Sequence, residues 1–190
     1  MAKLIIKISI SIIKILLMGN IQENQTISQS LKIIILGDYG VGKTSIINNL
    51  SNTNTKISNS PIQLIGYKDS IVKLKSKNIN VQLWDTSGSE KIKELPKWYY
   101  KNSNAIILVY DIGNFSSYQN LKKWLERIYL HCDKDIPILL LANKTDINTK
   151  IVYNINNYNF NHTNLVYHET NINNPNLKSI YYDFIYSIIQ

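Results

Sequence analysis

A three-layer α/β fold, with a mostly parallel six-stranded sheet and helices on both faces, is the class this sequence predicts. Three observations carry that expectation. Short continuous apolar runs recur: LKIIILG from Leu31, AIILVYD from Ala105 to Asp111, and IPILLLA from Ile136 to Ala142. Unbroken runs of that length suit strands buried on both faces of a parallel sheet. Stretches with helical spacing separate them. The first run ends in Gly37 and feeds a glycine-rich stretch and then a helix.

Each element follows in order. Leu4 to Met18 is Ile-rich, and Lys3, Lys7, Ser11 and Lys14 fall on one helical face, the pattern of an interfacial amphipathic helix; an untranslated leader is the other reading. Residues 19–30 are polar and read as a linker, so residues 1–30 form a non-domain extension and residues 31–190 one domain. A strand from Leu31 leads to GDYGVGKTS and a helix from Lys43 to Leu50. Residues 51–67 are Asn/Ser-rich. Ser70–Lys75 and Asn80–Trp84 alternate like two strands around a short turn, and Glu90–Tyr100 reads as a helix. Phe115–Tyr129 carries Leu121, Trp124, Leu125 and Ile128 at helical spacing. Ile147–Asn164 should hold a helix but is weakly patterned. Asn164–His168 suits a last strand, and Leu177–Ile189 a final helix.

Composition removes several functions. The chain has 190 residues with a formal charge of +8, carried by 21 basic and 13 acidic residues. Twenty of the basic residues are Lys and only Arg127 is Arg. Lysines spread along the chain with one arginine argue against a nucleic-acid reader, which needs a clustered basic face and favours the arginine fork. A lone cysteine, Cys132, excludes an internal disulfide framework and a Cys-based zinc site. No apolar run reaches the roughly 20 residues needed to span a bilayer, which excludes a channel or transporter.

Three short motifs carry the chemistry. Gly37–Thr44 has the spacing G-x-x-x-x-G-K-S/T of a phosphate-binding loop. Gly40, Val41, Gly42, Lys43, Thr44 and Ser45 are the phosphate-binding candidates. Glycines let the backbone turn its N–H groups onto phosphate oxygens at a helix N-terminus. Lys43 supplies a cation, and Thr44 a hydroxyl for Mg²⁺. Asp85-Thr86-Ser87-Gly88 follows the strand NVQLW, which suits Asp85 as a second Mg²⁺ partner and Gly88 as a phosphate contact through its N–H. Asn143-Lys144-Thr145-Asp146 closes the run IPILLLA. An Asp carboxylate there accepts two hydrogen bonds from the guanine edge, and adenine offers no such pair. The Lys144 stem can cover a base face. These features disfavour an ATP-dependent P-loop kinase.

With these motifs in order, the sequence resembles the Ras-like small GTPases, most closely their Rab branch, from about Leu31 to Ile189. GDYGVGKTS, VQLWDTSGSE, WYYKNSNAIILVYDI, the Phe115–Trp124 segment, NKTD and LIGYKD carry the resemblance. It implies the P-loop fold of small G proteins, GTP/GDP and Mg²⁺ as ligands, and Lys43 and Gly88 as catalytic groups. It also implies Thr170 as a guanine contact, because HETN (168–171) looks like a degenerate last guanine loop. Trp84 and Tyr99 lie where members carry partner-facing aromatics; core packing is the other reading.

Departures cluster around one place. Leu64 stands where the family carries a Mg²⁺-binding Thr, Ser89 where it carries the Gln that orients water, and Tyr39 where the loop is kept small. The resemblance therefore implies a membrane-traffic switch that hydrolyses GTP slowly, or a pseudo-GTPase acting as an interaction module. It further implies effectors and regulators at the switch regions, a cytoplasmic monomer, and no nucleic acid. The sequence as given ends at Gln190 without the C-terminal cysteines of the family, so membrane association is expected through the N-terminal segment.

Overall fold

The computed structural model describes residues 27–51, 56–57, 66–74, 77–86, 95–147 and 164–190. Their strands are β1 (Ile27–Leu36), β2 (Lys56–Ile57), β3 (Gly66–Leu74), β4 (Lys77–Asp85), β5 (Ala105–Asp111), β6 (Ile138–Asn143) and β7 (Leu165–Glu169). The helices are α1 (Lys43–Leu50), α2 (Lys97–Tyr100), α3 (Phe115–Gln119), α4 (Leu121–His131) and α5 (Leu177–Ile188). The strand order is β2-β3-β4-β1-β5-β6-β7. β1, β4, β5, β6 and β7 run parallel, while β3 pairs antiparallel with β4. The expected six-stranded sheet is present, and the two-residue β2 extends its edge beside β3.

The repeated isoleucines of β1 explain the layers. Side chains alternate faces along a strand. Ile33 and Ile35 enter a core with Ile46 of α1 and Phe184 of α5. Ile34 and Leu36 enter the opposite core with Tyr99, Trp124 and Ile128. All four β1 side chains are fully buried, each worth about 1.5–3 kcal/mol of apolar transfer. This two-faced burial is why the run lacks the polar alternation of a half-exposed strand.

Several elements differ from expectation: β3 starts at Gly66 and β4 at Lys77, ahead of the expected Ser70 and Asn80, because the two pair antiparallel along their full lengths. β1 starts at Ile27, four positions before Leu31, because residues 27–30 pair along β4 after a register shift between Ile27 and Gln29. Backbone pairing with a long neighbour overrides the polar character of that segment. The expected helix over Phe115–Tyr129 divides at Asn120, whose N–H bonds Ser116 O and Tyr118 O and ends α3. Asn114 opens α3, its side chain accepting from the N–H groups of Ser116 and Ser117. Of the expected helix over Glu90–Tyr100, Lys97–Tyr100 is helical and residues 90–94 lie outside the described residues. The expected helix in 147–164 and residues 1–26 also fall outside them.

Tyr99 is a core residue. It is fully buried and its hydroxyl donates to Trp84 O at 2.9 Å; burial pushes the phenol well above its ordinary pKa. Trp84 stays half-buried, stacked on Tyr67 with ring centroids 5.2 Å apart. The Lys32 ammonium lies 4.7 Å from the Trp84 ring centroid and donates to Tyr99 O and Lys101 O. Burial lowers the pKa of that ammonium.

Candidate functional site

Parallel pairing brings the carboxyl ends of four strands to one edge. Ile35 of β1 pairs with Asp85 of β4, and Asp111 of β5 with Asn143 of β6. Ligands of open α/β sheets bind at this edge. The three motifs, far apart in sequence, meet there because each ends a strand.

Gly37–Thr44 links β1 to α1. Two of its glycines are required by their surroundings. Gly37 has φ +141°, and a Cβ there would collide with the Val109 carbonyl. Gly42 is the left-handed N-cap of α1 at φ +99°, and a Cβ there would strike the Asn143 amide. Gly40, at φ +77°, faces open space. Lys43 is 2% exposed, and its ammonium donates to Gly37 O at 2.9 Å and Asp38 O at 2.7 Å. The cation is thus folded back over the loop whose N–H groups open α1. Tyr39 is 82% exposed and stands out from the loop.

Thr44 and Asp85 come together as the motifs require: Thr44 Oγ1 donates to Asp85 Oδ2 at 2.9 Å. A hydroxyl and a carboxylate are hard oxygen donors, so this pair suits Mg²⁺. Among the described residues no three His, Cys, Asp or Glu side chains cluster to hold a metal. Oxygens from outside this pair would have to complete a coordination shell. Thr86 follows, buried, donating to Ile35 O at 2.9 Å and locking the end of β4 onto β1.

Asn143 ties the two halves. Its Nδ2 donates to Val41 O at 2.8 Å. Its Oδ1 is buried with no hydrogen-bond partner among the described residues. A buried amide oxygen left unpaired costs about 1–3 kcal/mol, which marks it as an acceptor awaiting a donor. Gly42, Ser45, Lys144, Asp146, Ile147 and Ile172 line, with Asn143, a cavity of about 330 Å³. That volume lies in the range of small-molecule sites. Asp146 is exposed at its wall.

Other candidates take different places. Lys144 adopts φ +68° and its ammonium lies 2.7 Å from Asp111 Oδ2. Thr170 is fully buried; its N–H donates to Ala142 O, its carbonyl accepts from Thr145 N–H, and its hydroxyl donates to Asn171 O. It fixes the loop, while Ile172 reaches the cavity wall. Leu64, Gly88 and Ser89 lie outside the described residues. Asp38, Asp111, Thr86 and Ile172 were not singled out by the motifs. The Asp at position 38 within an anion-binding loop was the one visible signal among them.

A glycine loop between strand and helix, a buried lysine and an oxygen-donor pair beside a strand-end cavity define a P-loop protein of the nucleotide-binding α/β class. Sequence comparison agrees: residues 32–190 match the Ras family profile. The chain belongs to the Ras family and falls in its Rab branch as a divergent member. It is similar to the Ras-related protein RabZ of Dictyostelium discoideum, 34% identical over 66% of this chain and 55% of the relative. Rab-10 of Diplobatis ommata is 37% identical over 64% of this chain and 60% of the relative. Rab-8B of Bos taurus is 34% identical over 66% and 61%. The matched stretch thus spans little more than half the length of these relatives.

Proposed function

We propose that the protein is a guanine-nucleotide switch of membrane traffic that binds GTP and GDP with Mg²⁺ and hydrolyses GTP slowly. The observation that carries the reading is the convergence at one cavity of the phosphate loop and the Asn143–Asp146 loop, with the buried Asn143 oxygen unpaired. Lys43 and the loop N–H groups bind phosphates; Asp146 selects guanine through two accepted hydrogen bonds. Thr44 and Asp85 would hold Mg²⁺, which supplies charge neutralisation at the phosphates when bound. Effectors and regulators dock at the switch regions of a monomer, and the N-terminal segment supplies peripheral membrane contact. Among the described residues no helix is long and apolar enough to cross a membrane.

The deciding experiment is to purify the protein, denature it, and identify the released nucleotide by chromatography. Guanine nucleotide in near-stoichiometric amount supports the reading, and adenine nucleotide overturns it. A second reading, a pseudo-GTPase acting as an interaction module, draws on Leu64, Ser89 and the exposed Tyr39. Release of no nucleotide, together with no binding of added GTP, favours it.

A further inference from the structure

Asp38 is a carboxylate inside a loop built to bind anions. Left free, its charge would repel the phosphates that the loop receives. Both of its oxygens are occupied instead: Oδ1 accepts from Trp124 Nε1 at 2.8 Å, and Oδ2 from Asn120 Nδ2 at 2.7 Å. Trp124 is 8% exposed, inside the core beneath the sheet. Asn120 is the joint between α3 and α4, and its carbonyl accepts from Trp124 N–H at 3.1 Å. The two donors are therefore held on one rigid turn, 82 and 86 positions along the chain from Asp38.

We infer that Asp38 is a positioning residue that tethers the phosphate loop to α4, with Asn120 and Trp124 acting through it, and that this tether slows nucleotide release. The inference rests on the nucleotide-binding reading above for its second half only. The loop has two sets of clips. The Lys43 ammonium holds Gly37 O and Asp38 O, but those are contacts that an arriving phosphate competes for. The Asp38 carboxylate competes with nothing, so the tether holds the loop whether Lys43 faces the carbonyls or a phosphate. It also keeps the negative charge turned onto two N–H donors. Hydrogen bonds to a charged group are among the stronger ones in proteins.

The test uses the full chain in two measurements. The first is amide hydrogen exchange of residues 37–42 in nucleotide-free protein, which reports local opening of the loop. D38A and the N120A W124F pair should each speed exchange there by about ten-fold, the scale of losing charge-assisted bonds, with distant β5 amides unchanged. The second is dissociation of a fluorescent GDP analogue. N120A W124F should release it faster than D38A does, because the first leaves an untethered carboxylate beside the phosphates. The D38N N120D exchange places acceptor and donor on opposite sides of the same contact while keeping an acceptor for Trp124. It should restore both readouts toward wild type, which a merely structural role does not require. Unchanged loop exchange in D38A and in N120A W124F overturns the tether, whether or not nucleotide binds. Failure of the wild type to bind the analogue overturns the nucleotide reading and leaves the exchange measurement to decide the tether. Faster exchange with unchanged release overturns the kinetic role.

Discussion

The Lys144 ammonium lies 2.7 Å from Asp111 Oδ2, bridging the residue that follows β6 and the last residue of β5. The motif alone suggests a lysine stem free to cover a base. The bridge fixes that stem on a backbone already in the left-handed region, where a side chain is strained by roughly 1–2 kcal/mol. Asp111 Oδ1 meanwhile accepts from Gly113 N–H at 2.9 Å. Asp111→Asn keeps that acceptor and loses the ion pair, so it should cost about 1 kcal/mol or less. Asp111→Ala loses both contacts and should cost about 2 kcal/mol. Urea unfolding of the two variants checks the order; no loss in Asp111→Asn would show that the ion pair does nothing for this turn, and equal losses that the Gly113 bond adds nothing.

On the proposed function, guanine selectivity would rest on Asp146, exposed at the wall of the cavity that Asn143 also lines. Asp146→Asn should weaken GTP and GDP and favour xanthine nucleotides, whose extra carbonyl accepts from the new amide. Calorimetric titration with GTP, ATP and xanthosine triphosphate checks this. Equal affinity of the wild type for ATP and GTP would refute the assignment.

Lys43 and Thr44 are adjacent at the start of α1, the first buried and the second exposed, and each has a distinct partner set. Lys43→Ala removes the loop cation, and Thr44→Ala the hydroxyl that meets Asp85. Each should lower nucleotide affinity at least ten-fold, about 1.4 kcal/mol. Only the Thr44 variant should lose sensitivity to Mg²⁺ concentration. Nucleotide binding at several Mg²⁺ levels separates the two, and unchanged affinity in both would reduce the loop to a structural turn.

Cys132 closes α4 half-buried. Burial, then the neighbouring Asp133 carboxylate, push its thiol up to about 11, with Lys32 opposing. An acid whose folded pKa is raised adds stability that is complete below its unfolded value of 9.0 and is lost as pH rises toward 11. At pH 8 the thiolate fraction, and with it alkylation, should be roughly 100-fold below that of an ordinary thiol. Iodoacetamide labelling of native against urea-unfolded protein reads this directly, and equal rates would contradict the buried environment.

The central strands were legible because they are buried on both faces. Ile33–Leu36, Ala105–Tyr110 and Ile138–Ala142 admit no charged interruption, and apolar continuity marks them without any knowledge of partners. The phosphate loop was legible for a related reason: Gly37 and Gly42 are forced by collisions with Val109 and Asn143. What was hidden depends on pairing at a distance. Residues 27–30 are strand only because β4 runs beside them. Asn120 looks like one more polar helix position until its N–H closes α3. Tyr99 reads equally as a surface aromatic or a core one, and its full burial with the hydroxyl on the Trp84 carbonyl decides it. Thr170 takes a clip role because its backbone meets both Ala142 and Thr145.

On the proposed function, the sequence departures at Leu64, Ser89 and Tyr39 bear on hydrolysis. Ser89 is too short to orient a water as Gln does, Leu64 offers a metal no oxygen, and Tyr39 stands exposed on the phosphate loop where a small residue is the rule. Ordinary small GTPases gain about 10³–10⁵ from an activating arginine that needs an open approach. The intrinsic and the stimulated rates should both be low, so that the protein stays GTP-loaded or cycles mainly by exchange. Leu64→Thr should tighten GTP relative to GDP by restoring a hydroxyl. Ser89→Gln alone should help little while Tyr39 occupies the approach. Joined with Tyr39→Gly, it should raise turnover more than the two single changes together, since groups acting on one reacting water are not additive. Single-turnover hydrolysis of wild type, the single variants and the pair measures this. A wild-type rate equal to that of ordinary small GTPases would mean that another residue positions the water, and additive single effects would mean that Tyr39 and Ser89 act on separate steps.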